Sequence, residues 1–199
     1  MRILVISDTH GNLDRFRVIF KKIQEENPVQ MIVHCGDHYE DGTALRRTCG
    51  IPVIAVKGNC DGEFSDDNFA ILETEAGDFL VTHGHMENVG YSLQRLCYKT
   101  EENGCIGAIF GHTHRAAYAQ TGGMYFMNPG SLTKPRDGSG GTFGILKTDE
   151  NSVSGKIYCY EDFISKDIDS TGGPRSSAGK PAKITAGKLR SMLNYSDRF

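Results

Sequence analysis

The sequence predicts an α/β fold in which two sheets pack face to face with helices outside, and three observations predict it. Short runs of aliphatic and β-branched residues alternate with helix-period segments over the first sixty residues, the pattern βαβαβ. From Phe69 onward the apolar runs are joined mainly by hairpin turns, which predicts a mostly antiparallel second half. Strand after strand ends in Asp, Asn or His beside glycine, and in open α/β sheets ligands bind outside the carboxyl ends of the strands.

The first strand lies in Arg2-Ile3-Leu4-Val5-Ile6, an apolar run that reads as buried on both faces, and it runs into Ser7-Asp8-Thr9-His10-Gly11-Asn12. Asp8 and His10 stand two apart, so an extended segment would project both side chains to one side. Asn12 or Gly11 is placed to cap a helix from Leu13 to Glu26, with Phe16, Ile19, Phe20 and Ile23 on one face and Pro28 beyond its end. A second strand over Gln30 to His34 leads into Cys35-Gly36-Asp37. A weaker helix passes through Ala44 to Thr48, and a third strand, Pro52 to Lys57, leads into Gly58-Asn59-Cys60-Asp61.

Phe69 to Glu73 and Asp78 to Thr82 flank Glu75-Ala76-Gly77 as a hairpin whose second arm ends at His83-Gly84-His85. A helix is expected over Val89 to Glu102, then a buried strand over Ile106 to Phe110 ending in Gly111-His112-Thr113-His114. Arg115 to Gln120 pairs with Met124 to Met127, Asn128-Pro129-Gly130-Ser131 makes a tight turn, and Thr142 to Lys147 pairs with Val153 to Tyr160. From about Ser165 the composition turns to Gly, Ser, Pro and basic residues. Residues 170–199 hold six Lys/Arg against the single acid Asp197. The expected organisation is one domain over 1–163 and a basic extension over 164–199, with a short helix suggested by Leu189, Met192, Leu193 and Tyr195.

Composition narrows the function. The net charge of −3 over 199 residues argues against a nucleic-acid coat, and no apolar run approaches the ~20 residues of a membrane span. Six scattered cysteines without a CxxC spacing read as reduced thiols of a cytoplasmic protein. The strand-end residues Asp8, His10, Asp37, Asn59, His83, His112 and His114 supply only oxygen and nitrogen donors. That set suits Mn, Fe, Zn, Ni or Co better than Ca or Mg. Seven donors exceed one ion and suit two, with Asp37 as the natural bridge because a carboxylate has two oxygens. Paired ions of this kind clamp phosphoryl oxygens and generate hydroxide at neutral pH. His34, inside an apolar strand, reads as a core histidine. Gly11, Gly36, Gly58, Gly84 and Gly111 read as turn and close-approach positions.

Asp8-Thr9-His10, Gly36-Asp37, Gly58-Asn59-Cys60-Asp61, His83-Gly84-His85 and Gly111-His112-Thr113-His114 resemble, in order and spacing, the calcineurin-like metallophosphoesterase superfamily. Within it the chain looks like the small YfcE-type phosphodiesterases, whose eukaryotic relative is the retromer subunit Vps29. Asn128-Pro129-Gly130-Ser131 followed by Pro135-Arg136 completes the resemblance, which covers about residues 1–163. It implies a four-layer α/β/β/α sandwich of two mixed sheets. It further implies two divalent transition-metal ions, with Mn first and Ni, Zn or Fe as alternatives. Asp8, His10, Asp37 and His114 would hold one ion, and Asp37, Asn59, His83 and His112 the other. A bridging hydroxide would attack phosphorus in line, with Asp37, Asn59 and His112 in the catalytic set. Cys60 stands where many members carry the histidine that assists the leaving group, and it joins Asn12, His38 and His85 as further candidates near the phosphate. The expected function is a phosphodiesterase acting on small phosphodiesters, with a metal-binding scaffold of the Vps29 kind as the alternative. Nucleic acid is not an expected partner, and a homodimer or homotetramer is.

Overall fold

The computed structural model describes residues 1–62 and 68–165. In chain order its elements are β1 (Arg2–Ile6), α1 (Asp14–Glu26), β2 (Met31–His34), α2 (Tyr39–Thr48), β3 (Val53–Ala55), β4 (Phe69–Leu72), β5 (Phe79–Thr82), α3 (Gln94–Glu102), β6 (Gly107–Ile109), β7 (Ala117–Thr121), β8 (Met124–Asn128), β9 (Thr142–Asp149), β10 (Ser152–Cys159) and α4 (Tyr160–Ser165). The strands form two five-stranded sheets, ordered β10-β9-β1-β2-β3 and β4-β5-β6-β8-β7.

Alternation along β1 creates the layers. Ile3 and Val5 point between the sheets, where they meet Val33, Phe79, Val81, Ile109 and Met127. Leu4 and Ile6 point the other way, onto Phe16, Ile19 and Ile23 of α1. Behind the second sheet Leu93 and Leu96 cover Leu80, Ala108 and Phe126. Three apolar interfaces thus separate four layers, helices outside and sheets within, as the resemblance implies.

The structure corrects several details read from the sequence. Most strand pairs of the second half are antiparallel, as expected, but the centre of the second sheet is not. β5, β6 and β8 run parallel, and only the edge strands β4 and β7 oppose their neighbours. Parallel strands must be joined by a crossover, and α3 supplies it between β5 and β6. The last hairpin extends the first sheet instead, through antiparallel pairing of β9 with β1. Helix α2 starts at Tyr39, a full turn before Ala44, although Gly42 lowers its propensity. Gly42 faces β3 so closely that a Cβ there would lie 2.3 Å from the Ala55 Cβ.

Helix α3 starts at Gln94 rather than Val89, because Asn88 in a left-handed conformation (φ 57°) and successive turns fill residues 84–91. Helix α1 starts at Asp14, with Leu13 at the N-cap position and no side-chain cap there; Asn12 Oδ1 instead accepts from the Asp14 N–H at 3.0 Å. The final strand stops at Cys159. Helix α4 then packs Phe163 edge-on against Phe143 and Tyr158, across the expected boundary at residue 163. The expected C-terminal helix around Leu189 lies outside the described residues.

Candidate metal centre

Five of the seven predicted ligands have the same unusual backbone. Asp8 (φ 54°), His10 (49°), Asp37 (56°), His112 (67°) and His114 (55°) all occupy the left-handed region. Non-glycine residues adopt it rarely, with Asp, Asn and His the least penalised. The extended Asp8–His10 segment expected from the i, i+2 spacing is therefore replaced by tight turns at the strand ends. These turns bring side chains from β1, β2 and β6 to one point, which straight strands 4.7–4.9 Å apart would not do.

Asp8, His10, Asp37 and His114 place one donor atom each within 4.8 Å of one another. His114 Nε2 lies 3.1 Å from Asp8 Oδ1, and His10 Nε2 lies 4.0 Å from Asp37 Oδ2. A second cluster adjoins it through the same aspartate. His83 Nε2 is 3.3 Å from Asp37 Oδ1 and 3.2 Å from Asn59 Oδ1, and His112 Nδ1 is 2.9 Å from Asn59 Oδ1. The two carboxylate oxygens of Asp37 are thus divided between the clusters.

The donor set fits divalent transition ions by chemistry and by what is left unmet. Asp8 is fully buried, yet neither of its oxygens has an aligned hydrogen bond, and neither does His10 Nε2. An ionised carboxylate removed from water without such partners is strongly disfavoured unless a cation compensates it. Burial pushes the Asp8 carboxyl up, but His114, His83 and Ser7 outweigh it and the net displacement is downward. Burial, then the Lys134 ammonium, holds the His10 imidazole below its ordinary range, and burial followed by His83 does the same at His112. Both rings are therefore kept in the neutral form that ligates. His114 is raised, chiefly by its contact with Asp8.

Supporting residues fix which ring nitrogen faces inward. His83 Nδ1–H donates to the Cys35 carbonyl at 2.6 Å and His114 Nδ1–H donates to the Lys134 carbonyl at 2.6 Å, so each presents Nε2 to the centre. Ser131 Oγ donates to the Asp8 carbonyl (2.8 Å), and Asn128 Nδ2 donates to the Gly111 carbonyl (2.8 Å), tying the turn at 128–131 to two ligand loops. Gly111 permits a close pass: a Cβ there would lie 2.0 Å from Ser7 Oγ and 2.9 Å from Asp8 Oδ2.

Three acidic residues that the sequence reading left without a role complete the frame. Asp61 Oδ1 accepts from the His38 and Tyr39 N–H groups (2.8 Å each) at the start of α2, and Oδ2 accepts from the Gly58 N–H at 2.7 Å. One carboxylate thereby links the Asp37 and Asn59 loops. Asp41 Oδ2 accepts from Thr9 Oγ1 (2.6 Å) and from the Gly11 N–H (2.9 Å). Glu87 is buried beneath the His83 loop, accepting from Lys99 Nζ (2.6 Å) and Thr82 Oγ1 (3.1 Å). An N-cap side chain some twenty residues from its helix leaves no local signal. Only the Gly58–Asp61 motif itself hinted at Asp61.

His34 is a satisfied core histidine, as its strand context predicts. The Gly36 N–H donates to Nδ1 (3.3 Å), so the proton sits on Nε2 and is given to Thr9 Oγ1 at 2.8 Å. Complete burial, opposed by Asp41 and Asp8, depresses it to about 4. Cys60 is exposed; its N–H donates to Asp37 Oδ1 (3.1 Å) and its thiol to Oδ2 (3.4 Å). Burial and then that bond push the thiol up, so it is a neutral donor to the shared carboxylate. His85 lies beside the second cluster, its ring centroid 5.4 Å from His83 and 6.2 Å from His112. His38 Nδ1 lies 3.1 Å from Asp41 Oδ1. Asn12 lines a cavity of about 420 Å³ with Gly11, Leu13, Asp14, Arg17 and Asp41.

Comparison with known proteins agrees with this geometry. The calcineurin-like phosphoesterase superfamily domain matches residues 1–151. The probable metallophosphoesterase YsnB of Bacillus subtilis is 33% identical over 160 residues, 79% of this chain and 90% of YsnB. The phosphodiesterase YfcE of Escherichia coli is 27% identical over 175 residues, 77% of this chain and 91% of YfcE. In fold, wild-type Vps29 of Entamoeba histolytica, solved with zinc, superposes with a TM-score of 0.62 at 21% identity, over 80% of this chain and 99% of Vps29. A buried histidine–carboxylate centre at the strand ends of this sandwich, in a chain matched over three-quarters of its length, means that the protein belongs to the calcineurin-like phosphoesterase superfamily.

Proposed function

We propose that the chain is a metal-dependent phosphoesterase that hydrolyses phosphodiesters, and that its centre takes two divalent transition-metal ions, Mn first among them. The observation that carries this reading is the division of the Asp37 carboxylate between two clusters of nitrogen and oxygen donors. Asp8, His10, Asp37 and His114 would hold one ion, and Asp37, Asn59, His83 and His112 the other. When bound, such ions supply Lewis acidity toward phosphoryl oxygens and lower the pKa of water into the neutral range.

The chain's own residues prepare the rest. Asp8, sealed from water, contributes full negative charge. Asn59 contributes a neutral oxygen, which limits the charge of the second cluster. His83 and His114 are locked by their carbonyl partners, so little reorganisation is needed when substrate arrives. Cys60, a neutral thiol donating to Asp37, is a weak acid toward a leaving group. That favours esters whose leaving group departs without a strong proton donor.

The phosphodiesterase relatives support a small phosphodiester as substrate. The six free cysteines and the lack, among the described residues, of any helix long and apolar enough to cross a membrane are compatible with a cytoplasmic setting, which we include in the proposal. A homo-oligomer is likewise proposed, on the exposed Phe69 and Ile71 of edge strand β4.

The test is hydrolysis of a bis-aryl phosphate diester and the matching monoester by chain stripped of metal and reloaded with Mn, Ni, Zn, Fe or Mg. Turnover that metal restores and that prefers the diester is expected, and Asp37→Ala is expected to reduce it at least ~10³-fold. Bound metal with no turnover under any loading would instead support a scaffold of the Vps29 kind.

A further inference from the structure

The loop that follows Ser131 carries two cations to the rim of the centre, and neither ordinary packing nor the proposed chemistry uses them. Its backbone is fastened to the ligand loops. Thr133 Oγ1 donates to the carbonyls of Asp8 and Thr9 (3.1 Å each), the Lys134 carbonyl accepts from the His114 ring, and the Arg136 N–H donates to the His114 carbonyl at 2.9 Å. Asp137 anchors the far end, Oδ2 accepting from the Ala116 N–H and Oδ1 from the Ser139 N–H. From the far side Arg15 Nη1 donates to the carbonyls of Leu132 and Gly140. The segment 133–136 is therefore held in place by main-chain contacts on both flanks.

Its two charged side chains are left over. Lys134 and Arg136 are exposed, and among the described residues neither ammonium nor guanidinium has a carboxylate, hydrogen-bond or ring partner. Several other cations are committed elsewhere, Arg15 to Glu161 and the Tyr160 ring, Arg17 to Asp14, and Lys57 and Arg46 to the Tyr39 ring. Both residues sit on the loop bonded to the His114 turn, the Lys134 carbonyl accepting from the His114 ring and the Arg136 N–H donating to the His114 carbonyl. A cation is destabilising beside a site meant to gather metal ions, unless what it meets there is an anion. One phosphodiester carries a single negative charge, and the metal-ligand centre is already arranged around that group.

We propose that Lys134 and Arg136 form a subsite for a second phosphate, so that the preferred substrate is a phosphodiester bearing a further phosphoryl group. This rests on the phosphodiesterase reading for the reaction but not for the binding. Lys and Arg recognise phosphate through charge-assisted hydrogen bonds, the guanidinium in bidentate fashion.

The test uses the full, Mn-loaded chain and a matched pair of substrates, the p-nitrophenyl ester of thymidine 5′-phosphate with and without a 3′-phosphate. Leaving group and nucleoside are the same in both. The 3′-phosphorylated ester is expected to show a KM about tenfold lower, a preference that fades as salt rises. In a Lys134→Ala/Arg136→Ala double variant, with its melting checked against the parent, the KM ratio is expected to fall to near one. Lys134→Arg/Arg136→Lys, which keeps both charges, is expected to retain most of it. Calorimetry with thymidine 3′,5′-bisphosphate and thymidine 5′-phosphate reads the same preference without turnover. Equal KM values and equal affinities for the two members of each pair overturn the subsite. So does a preference that survives in the double variant. Absence of turnover with a tenfold tighter bisphosphate would overturn the phosphodiesterase reading and leave the subsite standing.

Discussion

Replacing Asp61 by alanine tests whether one carboxylate holds two ligand loops together. The carboxylate accepts three main-chain bonds of 2.7–2.8 Å, from Gly58, His38 and Tyr39. Loss of a helix N-cap costs about 1 kcal/mol, and a buried amide left without an acceptor costs about 1–3 kcal/mol more. Gly58 is buried, so its N–H has no ready access to water. Together these give an expected loss of about 3 kcal/mol, or a fall in melting temperature of roughly 10 °C for a chain of this size. Asp61→Asn presents one acceptor oxygen and one donor, restores the two helix bonds but not the Gly58 bond, and is expected to lose about half as much. Urea unfolding followed by circular dichroism in metal-free buffer measures both. Because the Asp37 and Asn59 loops are joined through this residue, metal affinity is expected to fall about 10–100-fold in Asp61→Ala, as for other outer-shell partners. A loss below about 1 kcal/mol, or unchanged metal affinity, would refute the claim that Asp61 is the link.

Two further outcomes follow from the buried frame. His34 is held near 4 in the folded chain against an ordinary 6.5, so the folded state resists a proton that the unfolded chain accepts. Its contribution is intact above pH 6.5 and is withdrawn as pH falls from 6.5 to 4, by up to about 3 kcal/mol. The stability difference between the parent and His34→Asn should therefore shrink across that window, and a difference independent of pH would contradict the assignment. Gly111→Ala drives a Cβ into Ser7 Oγ, and chemical denaturation should show a loss of about 2 kcal/mol. Ser7→Ala in the same chain should recover a measurable share of it, which a strain located elsewhere would not permit.

The sequence is most informative where a residue's chemistry and its local pattern coincide. β1 is legible because four consecutive apolar residues, Ile3 to Ile6, lead through Ser7 into Asp8-Thr9-His10, and all seven predicted ligands converge on one end of the sandwich. What is not legible depends on partners distant in sequence. The parallel course of β5, β6 and β8 is set by a crossover, while the hairpin turns around β4 and β7 are local signals and dominated the reading. Helix α2 reaches back to Tyr39 through Gly42, whose propensity penalty is outweighed by the approach to Ala55 that a bare Cα allows. Helix α4 escaped notice because its six residues follow a strand without a break, and its aromatic contacts with Phe143 and Tyr158 become visible only in three dimensions. Asp61, Asp41 and Glu87 look like ordinary surface acids until the loops they bridge are folded.

The left-handed backbone shared by Asp8, His10, Asp37, His112 and His114 has a bearing on natural selection. Each such residue costs on the order of 1 kcal/mol relative to glycine, and five together approach the ~5–15 kcal/mol that separates a typical folded domain from its unfolded state. A lineage that kept this sandwich only as a platform for other proteins would gain stability from nearly any drift toward glycine at these five turns. The chain bears Asp or His at every one of them, so its sequence carries a standing load that a mere platform would have no reason to keep.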